Sequence, residues 1–241
     1  MAVLLALLAG LGAGGVIVIL CHWLPLRIAE EDAAWRAALL GEAEAETKAD
    51  KTPPPSFRET LAQIKWAAPD ALATCAGAAA LSAYLIWQHG GAPATYAQIM
   101  FGWSLIALAM VDIRTQLLPD TITLPLLWLG LLVQLLPDTR NIGLDVAVIG
   151  VVASYLALWL PSTLYGLWRH RAPMGGGDYK MTAMIGAWLG FGSTMEILFL
   201  AAMAGAIWHI IGQWRQGNIR HHEFSFGPFL AFMALAELVF A

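Results

Sequence analysis

Two aspartates border long apolar runs in this chain. Asp112 ends one run, in Val111-Asp112-Ile113-Arg114-Thr115-Gln116-Leu117-Leu118-Pro119-Asp120, and Asp178 closes the glycine run Gly175-Gly176-Gly177-Asp178-Tyr179-Lys180. An ionisable group beside a membrane-spanning segment costs free energy and is a functional candidate by default. Paired carboxylates suit peptide hydrolysis, in which one ionised group takes a proton from water while a protonated one polarises the scissile carbonyl. Two carboxylates a few ångströms apart cannot easily both ionise, so proximity creates that division of labour and the titration belongs to the pair. The two residues therefore point to an aspartyl protease at a membrane surface, with Asp112 and Asp178 as catalytic groups.

Local sequence suggests which carboxylate carries the charge. Asp178 is expected to begin a helix, where free N–H groups and the helix dipole favour an anion, and so to rest as the base. Asp112 is expected to end one, where the dipole disfavours an anion, and so to rest as the acid. Gly175, Gly176 and Gly177 form the expected active-site turn, free to take backbone conformations closed to other residues and to let an extended substrate approach. Non-helical backbone at membrane depth must be satisfied by protein or by a watery cavity, so this turn implies a wet cleft. Each aspartate alone also has a plainer reading: Asp112 could pair with Arg114, and Asp178 could simply cap a helix. Asp120, after Pro119, reads as a turn or N-cap residue of the next helix.

The elements that must position these groups are membrane helices. The 241 residues are 59% hydrophobic and 12% charged, with a mean hydropathy of +0.66, too apolar for a soluble domain of this length. Apolar stretches near 2–24, 69–88, 95–112, 121–137, 142–168, 180–191, 193–214 and 225–240 predict an all-α polytopic protein of about eight transmembrane helices. Every basic residue except Arg140 falls in alternate connections between these stretches. Because basic flanks stay cytoplasmic, the N-terminus is expected outward and both aspartate motifs at the cytoplasmic face. The sixth stretch is the shortest, and its length suits a re-entrant segment as well as a span.

The chain divides into a first anchor over 1–26, expected to be uncleaved because no basic region precedes it, an acidic cytoplasmic loop over 27–68, and a core over 69–241. The loop holds Glu30, Glu31, Asp32, Glu42, Glu44 and Glu46 and breaks at Pro53-Pro54-Pro55. Cys21 and Cys75 are far apart and outside any CxxC, and the six histidines lack ligand spacing, so neither a disulfide framework nor a metal site is expected. Both cysteines read as small packing residues.

Beyond single residues, the order Asp112, Leu118-Pro119-Asp120, Thr123-Leu124-Pro125-Leu126, Gly175-Gly176-Gly177-Asp178-Tyr179-Lys180, Gly186-Ala187-Trp188-Leu189-Gly190 and Phe226-Gly227-Pro228-Phe229-Leu230-Ala231 resembles the type IV prepilin peptidases of bacteria, over roughly residues 100 to 235. The resemblance implies a multi-pass inner-membrane aspartyl endopeptidase whose catalytic carboxylates correspond to Asp112 and Asp178, with Pro119, Asp120 and Lys180 in support. Its substrates would be prepilins or pseudopilins of pilus or type II secretion systems, cut at the cytoplasmic face after a basic leader. Its partners would be those substrates and the bilayer, not nucleic acid. Peptidase activity needs no cofactor. Many members also N-methylate the new N-terminus with S-adenosylmethionine, whereas this chain lacks the CxxC pairs of the family's first loop. The acidic loop is a candidate attractor of a basic leader, an effect that salt would screen.

Two other readings fit parts of the sequence. A presenilin-like intramembrane protease also uses a GxGD turn, but Val111-Asp112 replaces its usual Tyr-Asp and no Pro-Ala-Leu follows. A transporter or assembly scaffold would use the aspartates to bind ions or protons, without cleavage.

Overall fold

A computed structural model describes residues 1–40, 64, 68–139, 141–169, 175–216 and 225–240. Most of the acidic loop, Arg140, Met174 and the His221-His222 pair lie outside the described residues. Those described form seven helices and no strand: α1 Ala2–Leu40, α2 Pro69–His89, α3 Pro93–Thr115, α4 Asp120–Leu135, α5 Leu144–Arg169, α6 Gly176–Gln216 and α7 Gly227–Phe240. All eight apolar stretches are helical. Five helices are long and apolar enough to cross a membrane, and α4 and α7 are shorter apolar helices of 16 and 14 residues. The protein is thus an α-helical polytopic membrane protein.

The sixth and seventh stretches lie in one element, α6, broken at Gly190, whose φ of 79° and ψ of 174° are not helical. Only glycine takes that conformation without steric cost, so the break sits where the sequence permits it. Helix starts also follow local chemistry: Pro69 and Pro93 open α2 and α3, where a missing N–H leaves no bond unmade.

Packing relies on small residues, as it must where lipid is as apolar as any side chain. A Cβ on Gly10 would lie 2.5 Å from the Ala79 Cα, and one on Gly14 would collide with the Cys75 backbone, so these α1 glycines, one turn apart, seat α1 directly on α2. Cys75 belongs to this contact, and Cys21 is buried with its Sγ 3.9 Å from the Ala107 carbonyl oxygen. Gly150 of α5 and Gly186 of α6 meet backbone to backbone in the same way. Between these pairs lies a core around Phe101, Leu105, Met184, Trp188 and Leu230. Trp188 stacks on Phe101 at 4.7 Å and donates its Nε1–H to the Leu126 carbonyl, tying α6 to α3 and α4.

Candidate active site

The last turn of α3, the start of α4, the first turn of α6 and the start of α7 converge on one end of this bundle. α3 stops at Gln116, a left-handed residue with φ 54° whose N–H closes on the Asp112 carbonyl at 2.8 Å. That stop leaves Asp112 in the final helical turn, where it is only 4% exposed. A carboxyl group so buried requires hydrogen-bond donors. Two come from the segment leading into α7: Ser225 donates its hydroxyl to Oδ2, and the backbone N–H of Gly227 bonds the same carboxyl group. A Cβ on Gly227 would stand 2.5 Å from Oδ2, so this position needs a residue without one.

Asp178 stands in the first turn of α6 and is half-buried. Its N–H bonds the Gly175 carbonyl at 3.3 Å, and its carbonyl accepts the Thr182 hydroxyl at 2.7 Å. Its Oδ2 folds back to 3.8 Å from where a Gly175 Cβ would be. Asp112 lies within electrostatic range of Asp178 although 66 positions separate them in the chain. Leu118 packs between the two sides, its Cδ1 lying 3.4 Å from the Cβ positions of both Gly177 and Gly227.

The glycine turn differs from the sequence expectation. Gly176 and Gly177 are already helical, so α6 begins two residues before Asp178, and Gly90 and Gly190 are the glycines with positive φ among the described residues. Gly177 is required for space instead: a Cβ there would meet the Leu118 Cβ at 2.7 Å, while one on Gly176 would meet nothing within 4 Å.

The supporting residues are also brought in. Pro119 precedes α4 in an extended conformation, and its carbonyl accepts the Thr123 N–H at 3.1 Å and the Thr123 hydroxyl at 3.2 Å. Asp120 is the first helical residue of α4, not its N-cap, and its Oδ2 pairs with the Lys180 ammonium at 2.5 Å. This pair fastens α4 to the first turn of α6. Arg114, the plainer partner expected for Asp112, instead pairs with Asp70 of α2 and stands 3.0 Å from the His22 ring of α1. Arg114 thus reaches toward α1 and α2, which leaves the buried Asp112 to Ser225 and Gly227.

The α7 contacts also alter the helix-end argument for resting charge. Asp112 ends its own helix but faces the N-terminal end of another, so both carboxylates lie at the positive end of a helix dipole. Helix ends no longer distinguish base from acid. Ser225 escaped the sequence reading because a lone serine ahead of an apolar helix has no periodicity or spacing to mark it; its position beside the Phe226-Gly227-Pro228 motif was the available clue.

Among the described residues, no group of three or more His, Cys, Asp or Glu side chains is placed to hold a metal ion. A cavity of about 530 Å³ opens between α2, α3 and α7, lined by Asp70, Gly77, Tyr84, Met110 and Leu235 among others, and neither Asp112 nor Asp178 lines it.

Fold and site together define a polytopic helical membrane protein that gathers two carboxylates at one end of its bundle. Residues 99–210, which hold both aspartates, match the type IV leader peptidase family. A Legionella pneumophila protein named prepilin leader peptidase/N-methyltransferase is 40% identical over 160 residues, which cover 66% of this chain and 54% of that protein. Proteins of the same name from Neisseria gonorrhoeae and Dickeya chrysanthemi are 40% and 41% identical, over 60% and 68% of this chain and 48% and 56% of their own lengths. The chain spans about half the length of the curated relatives it matches. No solved structure matches it.

Proposed function

We propose that the protein is a prepilin leader peptidase, with Asp112 and Asp178 as its catalytic pair. The observation that carries this reading is the convergence of two carboxylates from helices far apart in sequence, inside the family-matched region. In the proposed reaction a water held between the two loses a proton to the ionised carboxylate as it attacks the scissile carbonyl. The protonated partner donates to the carbonyl oxygen, and the protons then return through the pair as the amine leaves. The peptidase step needs no cofactor. N-methylation is a separate activity that the names of the relatives suggest for this chain, with S-adenosylmethionine as the methyl donor we propose for it.

We place the site at the cytoplasmic face of a bacterial inner membrane, with the N-terminus outward and eight membrane passes. The distribution of basic residues supports that orientation. Eight passes are supported by the break in α6. Tyr179 meets Ser162 at 2.6 Å near one end of α5, while the Cβ position of Gly190 meets Val146 at 3.2 Å near the other. Residues 179–190 thus lie along residues 146–162 of α5, and the break at Gly190 divides the 41-residue α6 into two apolar segments that we count as separate passes.

Incubating the purified protein in detergent with a prepilin tests the reading. Cleavage after the leader by the wild type, lost in Asp112→Asn and in Asp178→Asn, is the expected result. Uncleaved substrate under conditions where the protein is folded would end it and favour the transporter or scaffold reading. Mass spectrometry of the product N-terminus decides methylation in the same samples.

A further inference from the structure

We infer that Ser225 is a positioning residue that holds one oxygen of the Asp112 carboxyl group so that the other is presented for proton transfer, an inference that rests on the proposed peptidase reaction. A carboxyl group turns easily about its last side-chain bond, whose energy profile is broad and two-fold. Left to itself, Asp112 would offer either oxygen in many orientations. The Ser225 hydroxyl and the Gly227 side of the site both address Oδ2, by hydrogen bond and by close approach respectively. In the inferred arrangement Oδ1 is the oxygen offered to water or substrate.

The holder is itself held. The Ser225 hydroxyl also lies 3.4 Å from the Asp112 main-chain carbonyl, so it spans the residue's backbone and its side chain. Phe226, next in sequence, is buried, and its carbonyl receives the N–H groups of Phe229 at 3.1 Å and Leu230 at 3.2 Å. Leu230, Ala231 and Ala234 of α7 have no exposed surface, which anchors that helix in the core. Asp112 and Ser225 therefore meet as parts of two packed helical frameworks, 113 positions apart. Precision of this kind is what reacting groups need, because small displacements cost rate out of proportion to their size.

Ser225→Ala, Ser225→Val and Ser225→Thr separate the hydroxyl from the volume, since Val and Thr are nearly the same shape. Prepilin cleavage by the full chain is expected to show kcat reduced roughly tenfold in the Ala and Val variants, with KM unchanged and with Thr restoring most of the loss. A purely packing role would make Val behave like Thr. Wild-type kcat in both Ala and Val would overturn the inference, while the peptidase reading would stand on the Asp112→Asn result. Should the wild type cleave nothing, the infrared carboxyl band assigned by Asp112→Asn still reads the contact. That band is expected to shift in Ser225→Val and not in Ser225→Thr, and an unshifted band in the Val variant overturns the inference without reference to activity.

Discussion

Asp112 is 4% exposed and sits where the end of α3 meets the start of α7, whereas Asp178 is half-buried in the first turn of α6 and follows three glycines. Each carboxylate is supported from outside its own helix, but by different means. Around Asp112 the support is direct, through Ser225 and Gly227 on the carboxyl group itself. Around Asp178 it acts at a distance: Lys180 ties the first turn of α6 to Asp120, and Gly177 lets that turn close on Leu118. A buried, directly bonded group and a half-buried one braced through its neighbours suit the proposed reaction, in which one partner stays fixed while the more accessible one meets the entering peptide.

Removing either carboxylate erases the comparison and gives the largest effect. Asp112→Asn and Asp178→Asn are each expected to lower kcat by about 10²- to 10⁴-fold, the range for a lost acid or base. In the proposed reaction the pair works as a unit, so the double variant is expected to cost little more than either single one. Residual rates in the double variant equal to the product of the two single losses would show that the groups act independently.

Alanine at the two glycines that face Leu118 tests whether the two sides differ in rigidity. In Gly227→Ala the new methyl would meet the Asp112 carboxyl at 2.5 Å, with a packed helix behind it. Overpacking of that kind typically costs about 1–3 kcal/mol, and here it also displaces Oδ2. In Gly177→Ala the methyl meets the Leu118 side chain at 2.7 Å, next to a turn with open space at Gly176. Cleavage kinetics and apparent melting temperature in detergent are expected to fall clearly in Gly227→Ala and less in Gly177→Ala. The reverse order would mean that the α6 turn, not the Asp112 junction, is the rigid side.

Sequence reading located the helices because membrane depth demands long apolar runs, and those runs are visible without knowing what packs on them. Both aspartates were found for the complementary reason: charge is conspicuous there. The details that depend on partners were hidden. Arg114 is two residues from Asp112, yet it pairs with Asp70, 44 residues earlier, because nearness along a helix does not decide which way a long side chain reaches. The helix-end argument for Asp178 over Asp112 considered each helix alone and could not anticipate α7 arriving at Asp112. Gly175, Gly176 and Gly177 read as one flexible turn, whereas two of the three are helical and only the space needed at Gly177 separates them from ordinary residues. The break at Gly190 falls within two residues of the boundary drawn between the stretches 180–191 and 193–214, although the sequence did not show that both would lie in one helical element.

The smallest effect concerns the brace on the Asp178 side. The Lys180–Asp120 pair is close at 2.5 Å but exposed, with 36% and 50% of the two side chains accessible. Pairs of this kind contribute about 0.2–1 kcal/mol and weaken with salt. A cycle of Lys180→Met, Asp120→Asn and the double variant is therefore expected to give a coupling of roughly 0.5 kcal/mol in stability at low salt, shrinking at high salt. If the pair also sets where the first turn of α6 stands, the same coupling should appear in KM, since that turn must admit the substrate, and kcat should change little. Coupling in kcat with none in KM would place the brace under the reacting geometry itself, and Asp178 would then be as firmly fixed as Asp112.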